Sequence, residues 1–163
     1  MRNNTSKDWK NIWRSPSNEN TLSFEQIIDI IKKNNFHSIH IGTDSHLKKG
    51  TKGKHVFATV ICLYEPGKGA FYYFSRETPT KSFQSLAERI MEEATRSLNL
   101  AQEIYMIFPN RRIVMHSDTN TDERYPTTKF TKTISNWAKA IGVEFVAKPC
   151  AWAATSVADW HAK

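Results

Sequence analysis

The spacing of hydrophobic positions switches between two periods along this chain, and each switch marks a new element. Residues 1–20 are polar, rich in Asn and Ser, and carry Trp9 and Trp13 four apart. They read as a polar arm, or as one helical turn docking both indoles on the body. Ser23 then stands as an N-cap with Gln26 at the capping-box position, followed by Ile27, Ile28, Ile30 and Ile31. That pattern predicts an amphipathic helix to about Lys33, ended by Asn34 and Asn35. From residue 38 the period becomes two. Ile39 and Ile41 alternate with His40 and Gly42 up to Asp44, and two strand-like runs follow at 55–64 and 70–74. The turn Pro-Gly-Lys-Gly at 66–69 and the basic, Gly-containing stretch 46–54 read as hairpin connections, so these three strands are expected to be antiparallel neighbours.

After Pro79 the period returns to 3.6. Leu86, Ile90, Ala94, Ser97, Leu98, Ala101, Ile104 and Tyr105 form one stripe of a long helix from about Lys81. Pro109 and Asn110 break it, residues 112–117 form a strand leading to Asp118, and 129–141 return to helix, stopped by Gly142. A fifth strand at 143–147 and a short helix at 151–162 complete the order β-β-β-α-β-α-β-α behind one N-terminal helix. This predicts an α/β fold: a five-stranded mixed sheet flanked by helices, in one domain over 21–163 with its core at 38–163. The two helical crossovers place the fourth strand beside the first, making Asp44 and Asp118 neighbours near the middle of the sheet.

The chain has 163 residues, enough for one domain with a real core, and carries 23 basic against 16 acidic residues, a formal charge of +7. That excess favours a polyanionic partner such as nucleic acid. The longest apolar runs fall short of a membrane span and the first residues do not begin a secretory signal, so no membrane is expected. Cys62 and Cys150 lack Cys-x-x-Cys spacing; no disulfide partner is expected, and a reducing, cytoplasmic setting follows.

Four acids fall at strand ends or on the inner sides of helices instead of on polar faces. Asp44 closes the first strand, Asp118 the fourth, and Asp159 lies in the last helix. On the long helix, direction selects Glu93: at about 100° per residue it borders the apolar stripe, while Glu88 and Glu92 point to solvent with Arg89 and Arg96. Carboxylates brought together repel, and their pKa values rise unless a cation joins them. Two Mg²⁺ or Mn²⁺ ions sharing Asp44 relieve that repulsion and suit phosphodiester displacement.

The order of elements, with these acids on matching ones, resembles the ribonuclease H-like superfamily. More narrowly, Gly-Thr-Asp-Ser at 42–45 and Ala-Trp-Ala-Ala-Thr-Ser-Val-Ala-Asp at 151–159 resemble a small bacterial and phage family of ribonuclease H-like proteins. The likeness covers about residues 38–163. It implies that Asp44, Glu93, Asp118 and Asp159 are the catalytic and metal-ligating residues of a two-metal nuclease acting on RNA, DNA or a hybrid, leaving 5′-phosphate and 3′-hydroxyl ends. The sequence also departs from the pattern. No histidine is clearly placed before Asp159 for product release, and His161 follows it. The basic handle that some relatives insert after the first core helix is absent. Asp44 is not followed two positions on by Glu, unlike the related proofreading exonucleases.

Each residue also has a plainer reading. Asp118 can start a turn, Glu93 can pair with a Lys or Arg across a helix interface, and Asp159 can pair with Lys163 or His161. Asp122 is the alternative to Asp118 if the fourth strand runs longer. His46, His55 and His116 lack metal-motif spacing and read as surface or strand histidines. Lys48, Lys49, Lys52 and Lys54 in the basic loop, with Lys129 and Lys132, are candidate phosphate contacts, supported by Arg111 and Arg112. Tyr72, Tyr73 and Trp160 are candidate stacking residues. Beside the nuclease stands an alternative of another class: a catalytically inactive module of the same fold that binds nucleic acid or acts as a scaffold.

Overall fold

The computed structural model describes residues 8–163. A mixed sheet lies between two helical layers. Its strands are β1 (Trp13–Ser15), β2 (Asn18–Leu22), β3 (Ser38–Leu47), β4 (His55–Glu65), β5 (Gly69–Glu77), β6 (Ile113–Asn120) and β7 (Glu144–Lys148), in the order β2-β1-β5-β4-β3-β6-β7. The three antiparallel strands β3, β4 and β5 stand as their hairpin turns require, and β6 pairs parallel with β3 as the crossover rule demands.

The sheet has seven strands, two more than the hydrophobic pattern indicates. The extra pair lies in the expected polar arm, residues 1–20, of which 1–7 fall outside the described residues. There β1 and β2 form a hairpin, and Arg14 of β1 pairs with Phe74 of β5. Ladder hydrogen bonds need backbone alone, and β2 lies at the sheet edge with four of its five residues exposed, so no alternation marks it. The apolar contribution is concentrated in Trp13, which is fully buried beside Trp9 with ring centroids 6.3 Å apart. Its indole N–H donates to the Lys10 carbonyl.

Three helices cover one face: α1 (Phe24–Lys33), α2 (Leu86–Ile107) and α3 (Thr128–Ala140). Ile27 and Ile31, Ile90, Ala94, Leu100 and Ile104, and Ile134 and Ala138 meet Ile39, Ile41, Ile61, Leu63, Ile113 and Met115 of the sheet in one core. The expected Ser23–Gln26 capping box starts α1. Helix α2 begins at Leu86, five residues later than its stripe suggests, because the Ser85 hydroxyl accepts from the Glu88 N–H and fixes the start. Arg96, expected on the solvated face, is buried instead. It bridges Glu77 and Glu92, each at 2.8 Å, and lies 4.6 Å over the Phe57 ring, so its charge is paired and its plane stacked.

The opposite face carries a π-helical stretch (Ala153–Ala158) that runs into α4 (Asp159–Ala162). Its alanines Ala153, Ala154 and Ala158 are fully buried, which lets its backbone approach the sheet closely. Gly42 on β3 is where it touches. A Cβ there would stand 2.6 Å from the Ala154 nitrogen and 2.7 Å from the Ala153 carbonyl carbon, both backbone atoms. Gly42→Ala is therefore expected to lower stability by about 1–3 kcal/mol, the usual cost of forcing backbone apart, and to move the segment that ends in Asp159. Thermal melts with a parallel Mn²⁺ titration check this; an unchanged midpoint would mean that the close approach yields easily.

Among the described residues no helix is long and apolar enough to cross a membrane. Both cysteines are free, and burial pushes the Cys62 thiol up to about 12.

Candidate metal centre

Alternation along β3 divides its residues cleanly. Ile39, Ile41, Thr43 and Ser45 face α2, whereas His40, Gly42, Asp44 and His46 face the final helical segment. Thr43 hydrogen-bonds Ser97 of α2 at 2.8 Å, which ties the first face. On the second face His40 Nδ1 lies 2.8 Å from His116 Nε2 of β6, and both rings stand 4.9 Å from the Trp152 ring. The Ala153 N–H donates to His116 Nδ1 at 3.4 Å. That donor requires His116 to carry its proton on Nε2 and give it to His40, whose Nε2–H then reaches Ser38 Oγ at 2.8 Å. The wire works only with neutral rings, and burial holds His40 down to about 4 and His116 to about 3. His55 and His116 thus sit in strands as expected, packing the fold.

Asp44 lies further along the same face, at the C-terminal end of β3. The β3–β6 ladder ends at the Gly42–His116 pair, and Asp44 and Asp118 follow two residues on, close enough that the Asp118 charge acts on Asp44. Burial first, and then the charge of Asp118, push Asp44 up to about 7. Asp159 meets Asp44 from the final helix, and both carboxylates face His46 Nε2. Burial acts to raise Asp159, but bonds from Lys163, His46 and Asp44 outweigh it and hold Asp159 low.

His46 is the member that sequence reasoning missed. Its Nε2 lies 2.7 Å from Asp159 Oδ1 and 3.7 Å from Asp44 Oδ2. Ligand atoms of Asp44, His46 and Asp159 all fall within 4.8 Å of one another. The available signal was parity: an Asp-x-His on a strand puts both side chains on one face.

Glu93 reaches the centre from the α2 face. It is buried, and the Ser45 hydroxyl donates to its Oε1 at 2.5 Å. Burial, and then the Asp44 charge, push it up to about 8. Glu93 and Asp118 are not part of the 4.8 Å group, though Asp118 repels both Asp44 and Glu93. Lys148 lies against Asp118 Oδ1 in ion-pair contact without hydrogen-bond geometry. Lys163 sits 2.7 Å from Asp159 Oδ2. Asp122, the alternative to Asp118, is claimed by Arg124 in the loop beyond β6.

The donor set suits a hard divalent cation, since carboxylates that raise one another's pKa are relieved by added positive charge. An imidazole beside them is a donor that Mn²⁺ accepts readily.

The candidate phosphate contacts divide by position. Lys48, Lys49, Lys52 and Lys54 follow the end of β3, and Lys129 and Lys132 lie on α3, reached from the same end of β6. All six are exposed, and none pairs with a carboxylate among the described residues. Arg111 and Arg112 do not belong with them. They precede β6, a strand's length from Asp118; Arg111 donates to the carbonyls of Ile31, Asn34 and His37, and Arg112 pairs with Glu144. Of the expected stacking residues, Tyr72 bonds His161 at 3.0 Å and Tyr73 packs on the core, while Trp160 is 74% exposed next to Asp159.

A family model described as Ribonuclease H-like matches residues 23–163. No curated protein and no solved structure matches the chain.

Proposed function

The chain belongs to the ribonuclease H-like family, and from that premise we propose that it is a metal-dependent nuclease hydrolysing phosphodiester bonds at the Asp44 end of the sheet. The observation that carries this reading is the meeting of Asp44, His46 and Asp159 within 4.8 Å, with Glu93 and Asp118 close enough to repel Asp44. Asp44, Glu93, Asp118 and Asp159 are assigned to hold two Mg²⁺ or Mn²⁺ ions, and His46 joins them on the Asp159 side. When bound, such ions supply a water acidified enough to attack phosphorus and stabilise charge on the leaving oxygen. The chain's own groups prepare the place. Ser45 fixes the Glu93 carboxyl, Lys148 pairs with Asp118, and Lys163 pairs with Asp159 and helps hold its pKa low. The exposed lysines of the 48–54 loop and α3 are assigned to the phosphate backbone of the substrate.

Cleavage of end-labelled RNA, DNA and RNA/DNA hybrid, with and without Mn²⁺, tests the proposal. Product is expected only with the metal; no product from any of the three overturns it. The ion pairs of Lys148 and Lys163 favour one second reading, a module of this fold that binds nucleic acid without turnover, since they satisfy two acids with no cation. Calorimetric Mn²⁺ titration separates the readings. The nuclease reading expects saturable binding, and His46→Ala is expected to weaken it roughly tenfold, as loss of a supporting metal-site residue does. Equal affinity in that variant would remove His46 from the ligand set.

A further inference from the structure

Two strands away from Asp44 lies a cavity of about 220 Å³, lined by Ile12, Arg14, Phe74, Arg76, Glu77 and Thr78. Register places it on the face that bears the acids. Asp44 is paired with Ala58 and Ala58 with Arg76, so these three side chains leave the sheet on the same side. Gly42, Val60, Phe74 and Arg14 form the next row in register on that side. Two strand spacings, roughly 10 Å, separate Arg76 from Asp44.

The cavity's charges are unbalanced. Glu77 is the one carboxylate in its wall, and Arg96 takes it from behind at 2.8 Å. Arg14 and Arg76 are exposed, and neither pairs with an Asp or Glu side chain among the described residues. Arg76 donates to the main-chain oxygen of Lys163 at 3.4 Å, and the Lys163 ammonium in turn binds Asp159. The cavity is thus joined to the acids through one residue. Phe74 lines it, and the His161 ring is stacked on the Phe74 ring with centroids 3.7 Å apart. Two guanidinium forks and an aromatic ring lining one cavity match a phosphodiester and the sugar beside it.

We propose that Arg14 and Arg76 form a phosphate subsite that holds the nucleic-acid strand beside the phosphate addressed by the acids. It rests on the nuclease reading and says where the strand leaves the centre: sideways, over β5 and β1. The edge hairpin, which supplies Arg14, then has a task in binding.

The test is binding of fluorescent single-stranded RNA and DNA 20-mers, measured by anisotropy over a series of salt concentrations. The full chain carries Asp44→Asn so that the strand stays intact. Adding Arg14→Ala with Arg76→Ala is expected to weaken binding on the order of tenfold and to flatten the salt slope by roughly 0.7 for each phosphate that is no longer neutralised. Arg14→Lys with Arg76→Lys keeps the charges, so the slope is expected to stay while affinity falls, because the fork is gone. Lys32→Ala, on α1 against the other face, controls for overall charge, and matched thermal midpoints control for folding. If the parent binds and the double alanine variant matches it in affinity and slope, the subsite is wrong and the nuclease reading stands. If the parent binds neither probe, a subsite for a single strand is wrong, while the nuclease reading is decided by the metal-dependent cleavage of RNA, DNA and hybrid.

Discussion

Asp44→Asn is expected to abolish Mn²⁺-stimulated cleavage and, in chelator at pH 8, to leave the protein more stable than the natural chain. The loss follows from the central position of Asp44 between Asp118 and Asp159. The gain follows from its titration. Its carboxyl is raised from 3.8 to about 7 by burial and by Asp118, so the folded state binds its proton more tightly than the unfolded state does. Such a group adds stability as pH falls below about 7 and withdraws it as pH rises through that value. At pH 8 the natural chain holds a buried carboxylate against like charges. Each pH unit between the folded and unfolded values is worth about 1.4 kcal/mol, so the neutral amide relieves on the order of 2–4 kcal/mol. For a chain of this size that means several degrees in thermal midpoint. At pH 5 the folded Asp44 is protonated but the unfolded one is ionised, so roughly a third of the advantage should remain, and it should vanish only below about pH 4. Mn²⁺ should raise the midpoint of the natural chain and not of the variant. Melts at both pH values, with and without the ion, check all of this; a variant less stable at pH 8 in chelator would refute the electrostatic account.

Trp13→Ala is expected to cost about 3–5 kcal/mol, the range for emptying a fully buried aromatic site. Trp13 has no exposed surface, touches Trp9, and anchors β1 to the Lys10 carbonyl. Removing residues 1–20 should destabilise at least as much, since Ser75 also donates to the Trp9 carbonyl at 2.5 Å. Urea unfolding measures both. A loss below about 1 kcal/mol in either variant, the size of an ordinary surface effect, would return this stretch to the status of an arm.

Legibility differed sharply between elements. The hairpins of β3, β4 and β5 carry their turn chemistry locally, and the stripe of α2 pointed Glu93 inward at the correct residue. The crossover connections placed β6 beside β3, which brings Asp118 near Asp44. The hairpin of β1 and β2 was not legible, because its stability comes from one indole and from backbone pairing. Arg96 misled because helical direction cannot show that Glu77 arrives from another strand to bury it. Arg111 misled for a similar reason: three carbonyls from the α1 end and the loop after it converge on it.

By itself the sequence determined the kinds of element, their order, and which acids stand at their ends, because period, caps and turn residues act over a few neighbouring positions. Tertiary structure alone decided that His46 lies between Asp44 and Asp159 and that Lys148 and Lys163 already attend two of the acids. It alone put Arg14 beside Arg76 on the acidic face. These are meetings between residues far apart in the chain, and only strand register and the close seat of the last helix on Gly42 bring them together.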